Sequence, residues 1–309
     1  MRIVFWGTPE FATPPLLALI GEGFDVVGVV TQPDRPRGRS RSQLDPSPVK
    51  IVAVEEGIPV LQPERPRGPE FVQALRDLAP DLSVVVAYGH ILPKEVIDLP
   101  ALGTLNIHAS LLPTLRGAAP IQAAIADGHD EAGVTIMRMV PQLDAGPVVH
   151  ALSSPILPDE TGGELTLRLS EMGAVALIEA LALMELGAAA ERRQDDAQAT
   201  YAGKIDREVA RIDWTLPSAI VARRVRAYDP KPGAWSTLNG LEVRLFGARP
   251  ITDRSGAPGE VLETDEMGMI VACGSGGVAI KEVHPAGKRR MAALDWSQGR
   301  GVAVGDRWG

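Results

Sequence analysis

Met1-Arg2-Ile3-Val4-Phe5-Trp6-Gly7-Thr8-Pro9-Glu10-Phe11 decides the fold class. A short apolar run, Ile3–Trp6, turns at Gly7-Thr8-Pro9 and gives way to helical apolar spacing over Pro9–Glu22. The same change of period recurs downstream. Val26–Val30, Leu82–Ala87, Leu105–His108 and Val134–Val140 read as strands, while Val49–Gly57, Phe71–Leu78 and Ala118–Asp127 read as helices. Such alternation predicts an α/β domain with a mainly parallel sheet. Open sheets of that kind bind ligands beyond the carboxyl ends of their strands, so chemistry is expected in the loops after Trp6, Ala87, His108 and Val140.

The first of these loops counts against a nicotinamide-dependent oxidoreductase, the other function this fold suggests. A dinucleotide-binding turn needs Gly-x-Gly-x-x-Gly, whereas Gly7-Thr8-Pro9-Glu10-Phe11 has one glycine, and Pro9 removes an amide that could meet a pyrophosphate. Glu164–Leu186 reads as one long helix closing the first domain, residues 1–187. A polar stretch, 188–205, reads as a linker. From 206 to 309 short strands near Ala234–Leu238, Glu242–Phe246, Met269–Ala272 and Val278–Val283 alternate with glycine-rich turns, which predicts a small β-barrel or sandwich.

The 309 residues carry 31 basic and 39 acidic side chains, net −8, a balance that by itself argues against nucleic acid. Its placement reverses the argument. Residues 159–196 hold 9 acids against 3 bases, while Pro33–Lys50 is net +3 and residues 206–309 hold 15 bases against 13 acids. Cys273 is the single cysteine, which removes internal disulfides and cysteine-based zinc clusters and fits a reducing, cytoplasmic setting. The N-terminus does not read as a signal peptide, and no apolar stretch is long enough for a bilayer.

The densest polar group is Asn106-Ile107-His108-Ala109-Ser110-Leu111-Leu112-Pro113. Asn106 and His108 lie two residues apart on a strand and so share a face. An amide and an imidazole there could donate to one developing oxyanion. Asp144, in Gln142-Leu143-Asp144-Ala145-Gly146-Pro147, follows the next strand and is placed to orient the imidazole or move protons. The alternative is a core histidine and a turn aspartate. No Gly-x-Ser-x-Gly elbow is present, and His90, His129, His150 and His284 lack metal-ligand spacing. Direct group transfer between two bound substrates fits these residues better than a covalent intermediate or metal hydrolysis.

Over essentially its whole length the chain resembles the methionyl-tRNA formyltransferases, a branch of the folate-dependent formyltransferases. The matching segments are Phe5–Phe11, Thr31–Pro36, Pro46–Lys50, Ala87–Gly89, Ile91–Pro93, Asn106–Pro113, Arg116–Gln122, Gly133–Met137 and Leu143–Gly146. Ala210–Trp214, Arg226–Pro230 and Pro285–Lys288 follow in the second half. The resemblance implies a Rossmann-like formyltransferase domain with a parallel-rich sheet and an OB-fold-like β-barrel. It implies formyl transfer from 10-formyltetrahydrofolate to the methionine of initiator methionyl-tRNA, by a monomer, without metal. Asn106, His108 and Asp144 would be catalytic. Ser110, Leu111, Leu112 and Pro113 would line the folate site, with Tyr88, Gly89, Ile91 and Leu92 near the pterin. Arg35, Arg37, Arg39, Arg41 and Lys50 would meet the acceptor stem, and Arg223, Arg224, Arg226, Lys288, Arg289 and Arg290 the tRNA body. A formyltransferase for a small amine, sharing Asn106, His108 and Asp144, and a non-catalytic RNA-binding protein are the alternatives.

Overall fold

The computed structural model describes residues 1–37 and 43–309; Arg39 and Arg41 lie outside them, as does the side chain of Arg37. The chain divides into two compact units. One comprises Met1–Gly117, Ala132–Ser154 and Thr166–Tyr201; the other comprises Ala118–Glu131, Pro155–Leu165 and Ala202–Gly309.

In chain order the first half contains β1 (Arg2–Gly7), α1 (Thr13–Gly21), β2 (Asp25–Val30), β3 (Arg35–Arg37), β4 (Gln43–Asp45) and α2 (Pro48–Glu55). There follow β5 (Val60–Leu61), α3 (Pro69–Asp77), β6 (Leu82–Val86), α4 (Lys94–Ile97), β7 (Thr104–His108), β8 (Arg116–Gly117) and α5 (Pro120–Asp127). Then come β9 (Glu131–Arg138), β10 (Val148–Pro155), α6 (Gly162–Glu185) and β11 (Tyr201–Ala202). The main sheet runs β10-β9-β7-β6-β1-β2-β5. β5, β2, β1, β6 and β7 pair in parallel, and β9 pairs antiparallel with β7.

The order grows outward from β1 in both directions, so the strand order reverses between β1 and β6, the point where open sheets of this type hold ligands. Burial explains the run that opened the sequence. Ile3 to Trp6 are fully buried because β1 is central and covered on both faces. Trp6 sits edge-on to Phe71 and Tyr88, and its indole N–H donates to Ser83 Oγ at 3.2 Å. Proline and glycine punctuate the helices. Pro48 follows the Ser47 cap of α2, whose Oγ accepts from the Lys50 amide at 3.1 Å. Pro120 opens α5, and left-handed Gly128 ends it.

The second half contains α7 (Ser218–Ala227), β12 (Ala234–Leu238), β13 (Leu241–Ile251), β14 (Val261–Asp265), β15 (Gly268–Ala272), β16 (Gly277–Pro285), β17 (Met291–Ala292) and α8 (Ala293–Gln298). An antiparallel sheet runs β12-β13-β16-β15-β14, with β17 on β16. Its two outer members are linked by the last residues of the chain. Gly309 exchanges backbone hydrogen bonds with Thr237 of β12, Trp308 donates to Gly259, and Val261 of β14 donates to Asp306. The tail therefore closes the sheet in the manner of a small barrel.

Candidate active site

β7 ends at the site and aims its residues by pleat. Ile107 points toward α6, where its Cγ2 approaches Gly173; Asn106 and His108 therefore point to the opposite face. His108 is 6% exposed. Its Nε2 lies 3.0 Å from the Leu115 carbonyl, which can only accept, so Nε2 carries the proton. Nδ1 faces Asp144, 3.7 Å from Oδ2. That separation is too long for a direct hydrogen bond, and it leaves the Nδ1 edge as the place where a proton can come or go. The half-buried Asn106 has no side-chain hydrogen bond among the described residues. Its amide is thus free to meet a ligand.

Asp144 is held in an unusual backbone. Its φ is +47°, and that of Leu115, which orients His108, is +58°. Left-handed conformation costs a non-glycine residue roughly 1–3 kcal/mol, less for aspartate, and persists only when neighbours enforce it. The neighbours are identifiable. Asp144 Oδ2 accepts from the Gly117 amide at 2.8 Å. Gln194 Nε2 donates to the carbonyls of Asp144 at 2.8 Å and Gly146 at 2.7 Å. A Cβ on Gly146 would lie 1.7 Å from the Arg138 carbonyl, so only glycine fits there. Gln194 is itself fixed, because its Oε1 accepts from Arg116 Nε and Nη2 at 3.1 and 2.8 Å. Arg116 is 3% exposed and also pairs with Asp196 at 2.7 Å. Thr200 completes the brace: its Oγ1 accepts from the Leu115 amide and its carbonyl from the Arg116 amide, both at 2.9 Å. The stretch read as a linker from sequence is therefore tied to the site through Arg192–Thr200.

The loop after β7 is similarly tied. Ser110 Oγ donates to the Thr114 carbonyl at 2.5 Å, and Thr135 on β9 donates to the Ser110 carbonyl and accepts from the Leu112 amide. Ser110 is buried, while Leu111, Leu112 and Pro113 are half-buried and available to a ligand. In the loop after β6 the residues differ among themselves. Tyr88 is 1% exposed and Leu92 3%, both within the apolar cluster of Val4, Trp6 and Val85, whereas Gly89 is exposed and Ile91 is 88% exposed. Burial pushes the Tyr88 phenol up to about 12. The Tyr88 carbonyl joins three loops, accepting from Thr8 Oγ1 at 3.2 Å and Gln32 Nε2 at 2.9 Å.

The basic residues fall into engaged and open groups. Arg35 is exposed and donates to Gln32. Lys50 is clasped by Asp34 at 2.6 Å, and Gln62 donates to the same carboxylate at 2.7 Å. These two hydrogen bonds, that from Lys50 first, hold Asp34 below the usual carboxylate range. On α7, Arg223 donates to the Ala126 carbonyl at 3.3 Å, and Arg226 to those of Pro158 and Glu160. Burial lowers the pKa of Arg226. Arg290 pairs with Glu282 and Asp229 and lies over the Phe246 ring, whereas Lys288 and Arg289 are exposed.

Sequence reasoning singled out Asn106, His108 and Asp144, which the fold brings to one face. It did not single out Arg116, Thr135 or Gln194, because side-chain bonds to partners distant in sequence leave no periodic signal. No cluster of three or more metal-ligating side chains occurs among the described residues. Burial pushes the Cys273 thiol up to about 12, so it is no thiolate at neutral pH. No helix among them is long and apolar enough to cross a membrane.

The chain is similar to known proteins along its length. Residues 1–181 match the formyl transferase family, and residues 204–301 match the formyl transferase C-terminal domain. The methionyl-tRNA formyltransferase of Methylococcus capsulatus is 49% identical over 307 residues, 98% of each chain. That of Geotalea daltonii is 46% identical over 309 residues, 100% of this chain and 98% of its own. The structure of HypX from Aquifex aeolicus in complex with tetrahydrofolic acid is 24% identical, with a TM-score of 0.66, over 96% of this chain and 46% of that one. The chain thus spans about half the length of HypX, and that likeness concerns the fold. Two domains matched in order, and near-half identity across the whole length, have one reading: the chain belongs to the methionyl-tRNA formyltransferase family.

Proposed function

We propose that the chain transfers the formyl group of 10-formyltetrahydrofolate to the α-amine of methionine on initiator tRNA, for translation initiation. One observation carries this reading: His108 Nδ1 faces Asp144 beside an Asn106 amide that has no partner among the described residues. The half-buried Leu111–Pro113 loop and exposed Gly89 offer apolar and backbone surface next to it, which suits a flat heterocyclic donor. The folate complex of HypX, a protein of the same fold, supports that choice.

When bound, the donor supplies a formyl carbon that the methionyl amine attacks, and its N10 leaves with a proton. Asn106 donates to the formyl oxygen as negative charge develops there. His108 keeps its Nε2 proton on Leu115, so a proton gained by the ring goes to Nδ1, the edge that faces Asp144. Asp144 faces that edge and takes part in moving the amine proton, through water. No metal is required by these roles. Ser110, buried and bonded to Thr114, shapes the loop rather than reacting.

For the tRNA, the exposed Arg35, with Arg37, Arg39 and Arg41, supplies the charge toward the acceptor stem, and exposed Lys288 and Arg289 toward the tRNA body. Lys50, Arg223 and Arg226 are engaged within the protein and anchor those surfaces. The enzyme acts as a cytoplasmic monomer on this reading. The test offers 10-formyltetrahydrofolate with initiator methionyl-tRNA, elongator methionyl-tRNA or small amines. Formylation of the initiator species is expected; turnover of a small amine without it would overturn the proposal. Arg39→Ala should weaken use of tRNA far more than donor binding, and equal loss of both would remove the loop from tRNA recognition.

A further inference from the structure

We infer that Gln194 is a positioning residue for the reaction, holding Asp144 in register with His108 while Arg116 holds Gln194 in turn. The inference rests on the reading of Asp144 as a catalytic group. Its grounds are the two N–H bonds from a single amide group to the carbonyls of Asp144 and Gly146. One amide nitrogen has two protons, and here both are spent on the backbone of the loop that carries the carboxylate. The amide cannot flip, because its oxygen receives two donors from Arg116, which has no lone pair to offer. The arrangement therefore has one orientation.

Its need follows from the backbone. Asp144 sits at φ +47°, Gly146 is pressed against the Arg138 carbonyl, and Leu143 is 58% exposed, so the loop has little core of its own to fix it. The carboxylate itself is tethered, among the described residues, by the Gly117 amide at 2.8 Å, adjacent to Arg116. Arg116 thus acts at both ends of Asp144: its backbone neighbour fixes the carboxylate, and its guanidinium fixes the amide that fixes the carbonyl. The same segment holds Leu115, the partner of His108, through Thr200. Acid and imidazole are set from one strip of chain.

Gln194→Glu separates positioning from folding. The carboxylate keeps its partner Arg116 and the side-chain shape, but it has no proton for the two carbonyls. The expected result is a kcat lower by about 10- to 100-fold, as for a catalytic group displaced by up to an ångström, with the KM for methionyl-tRNA and the donor Kd retained. Should Glu lower the Tm, Gln194→Met, equally long and without donors, is read by the same measures. An unchanged kcat in a folded variant, while Asp144→Asn is inactive, overturns the role of Gln194. An active Asp144→Asn instead overturns the reading of Asp144, a separate result from the same set of proteins.

Discussion

Asn106 makes the simplest residue-scale case, because its amide serves no bond among the described residues. Asn106→Ala should leave the Tm within experimental scatter and lower kcat by roughly 10²–10³, the usual loss for one oxyanion donor. A fall in stability of the same rank as the fall in rate would assign the amide to the core instead. His108 is different: its Nε2 bond orients the Leu115 carbonyl, so His108→Ala should cost both rate and stability. The contrast tracks what could be seen in the sequence. Asn106 and His108 are two apart on a strand, and pleat alone puts them on one face. Gln194 lies 50 residues beyond Asp144 in a polar stretch, and nothing in its spacing distinguishes it from solvated chain. Lys50 looked like one more cation of a basic loop, since the composition could not reveal that Asp34 claims it.

At the scale of elements, the hairpin of β3 and β4 rises from a polar clasp, with Asp34 taking Lys50 and Gln62 at its foot. Loss of that clasp should free the hairpin without touching the loop after β7. Lys50→Met is expected to raise the KM for methionyl-tRNA several-fold at constant KM for the donor, whereas a change in the donor KM alone would contradict it. The pH dependence has a definite sign. Asp34 titrates below its ordinary 3.8, so its contribution is present above that value and lost as pH falls through the lowered one. The Tm difference between the protein and Asp34→Asn should therefore be largest above pH 3.8 and vanish at more acid pH. Elements with strong punctuation, such as α2, α3 and α5, stand close to where the sequence puts them. β10 and β14 were not anticipated, because their polar and half-buried residues lack the apolar run that marked β1.

For the whole molecule, the distribution of charge matters more than the total of −8. Asp34 already pairs with Lys50, so on the proposed reading this cation adds little to phosphate contact and the salt dependence of tRNA binding should be correspondingly shallower. The closing tail offers another prediction. Removing Asp306–Gly309 withdraws buried Trp308, 3% exposed, and uncovers the backbone of β12 and β14. Losing a buried tryptophan costs about 3–5 kcal/mol, and open edges recruit other strands. A lowered Tm together with association at rising concentration, followed by light scattering, is the expected outcome; a monomer of unchanged Tm would show the tail to be ornamental. The brace of the site also sets a rule for recombining these enzymes. Gln194 and Thr200 fall between the two family matches, which end at residue 181 and begin at 204. A hybrid spliced at that seam would take the loops of His108 and Asp144 from one parent and the fastening of those loops from the other. Grafts that keep their rate should be those whose join lies beyond Thr200.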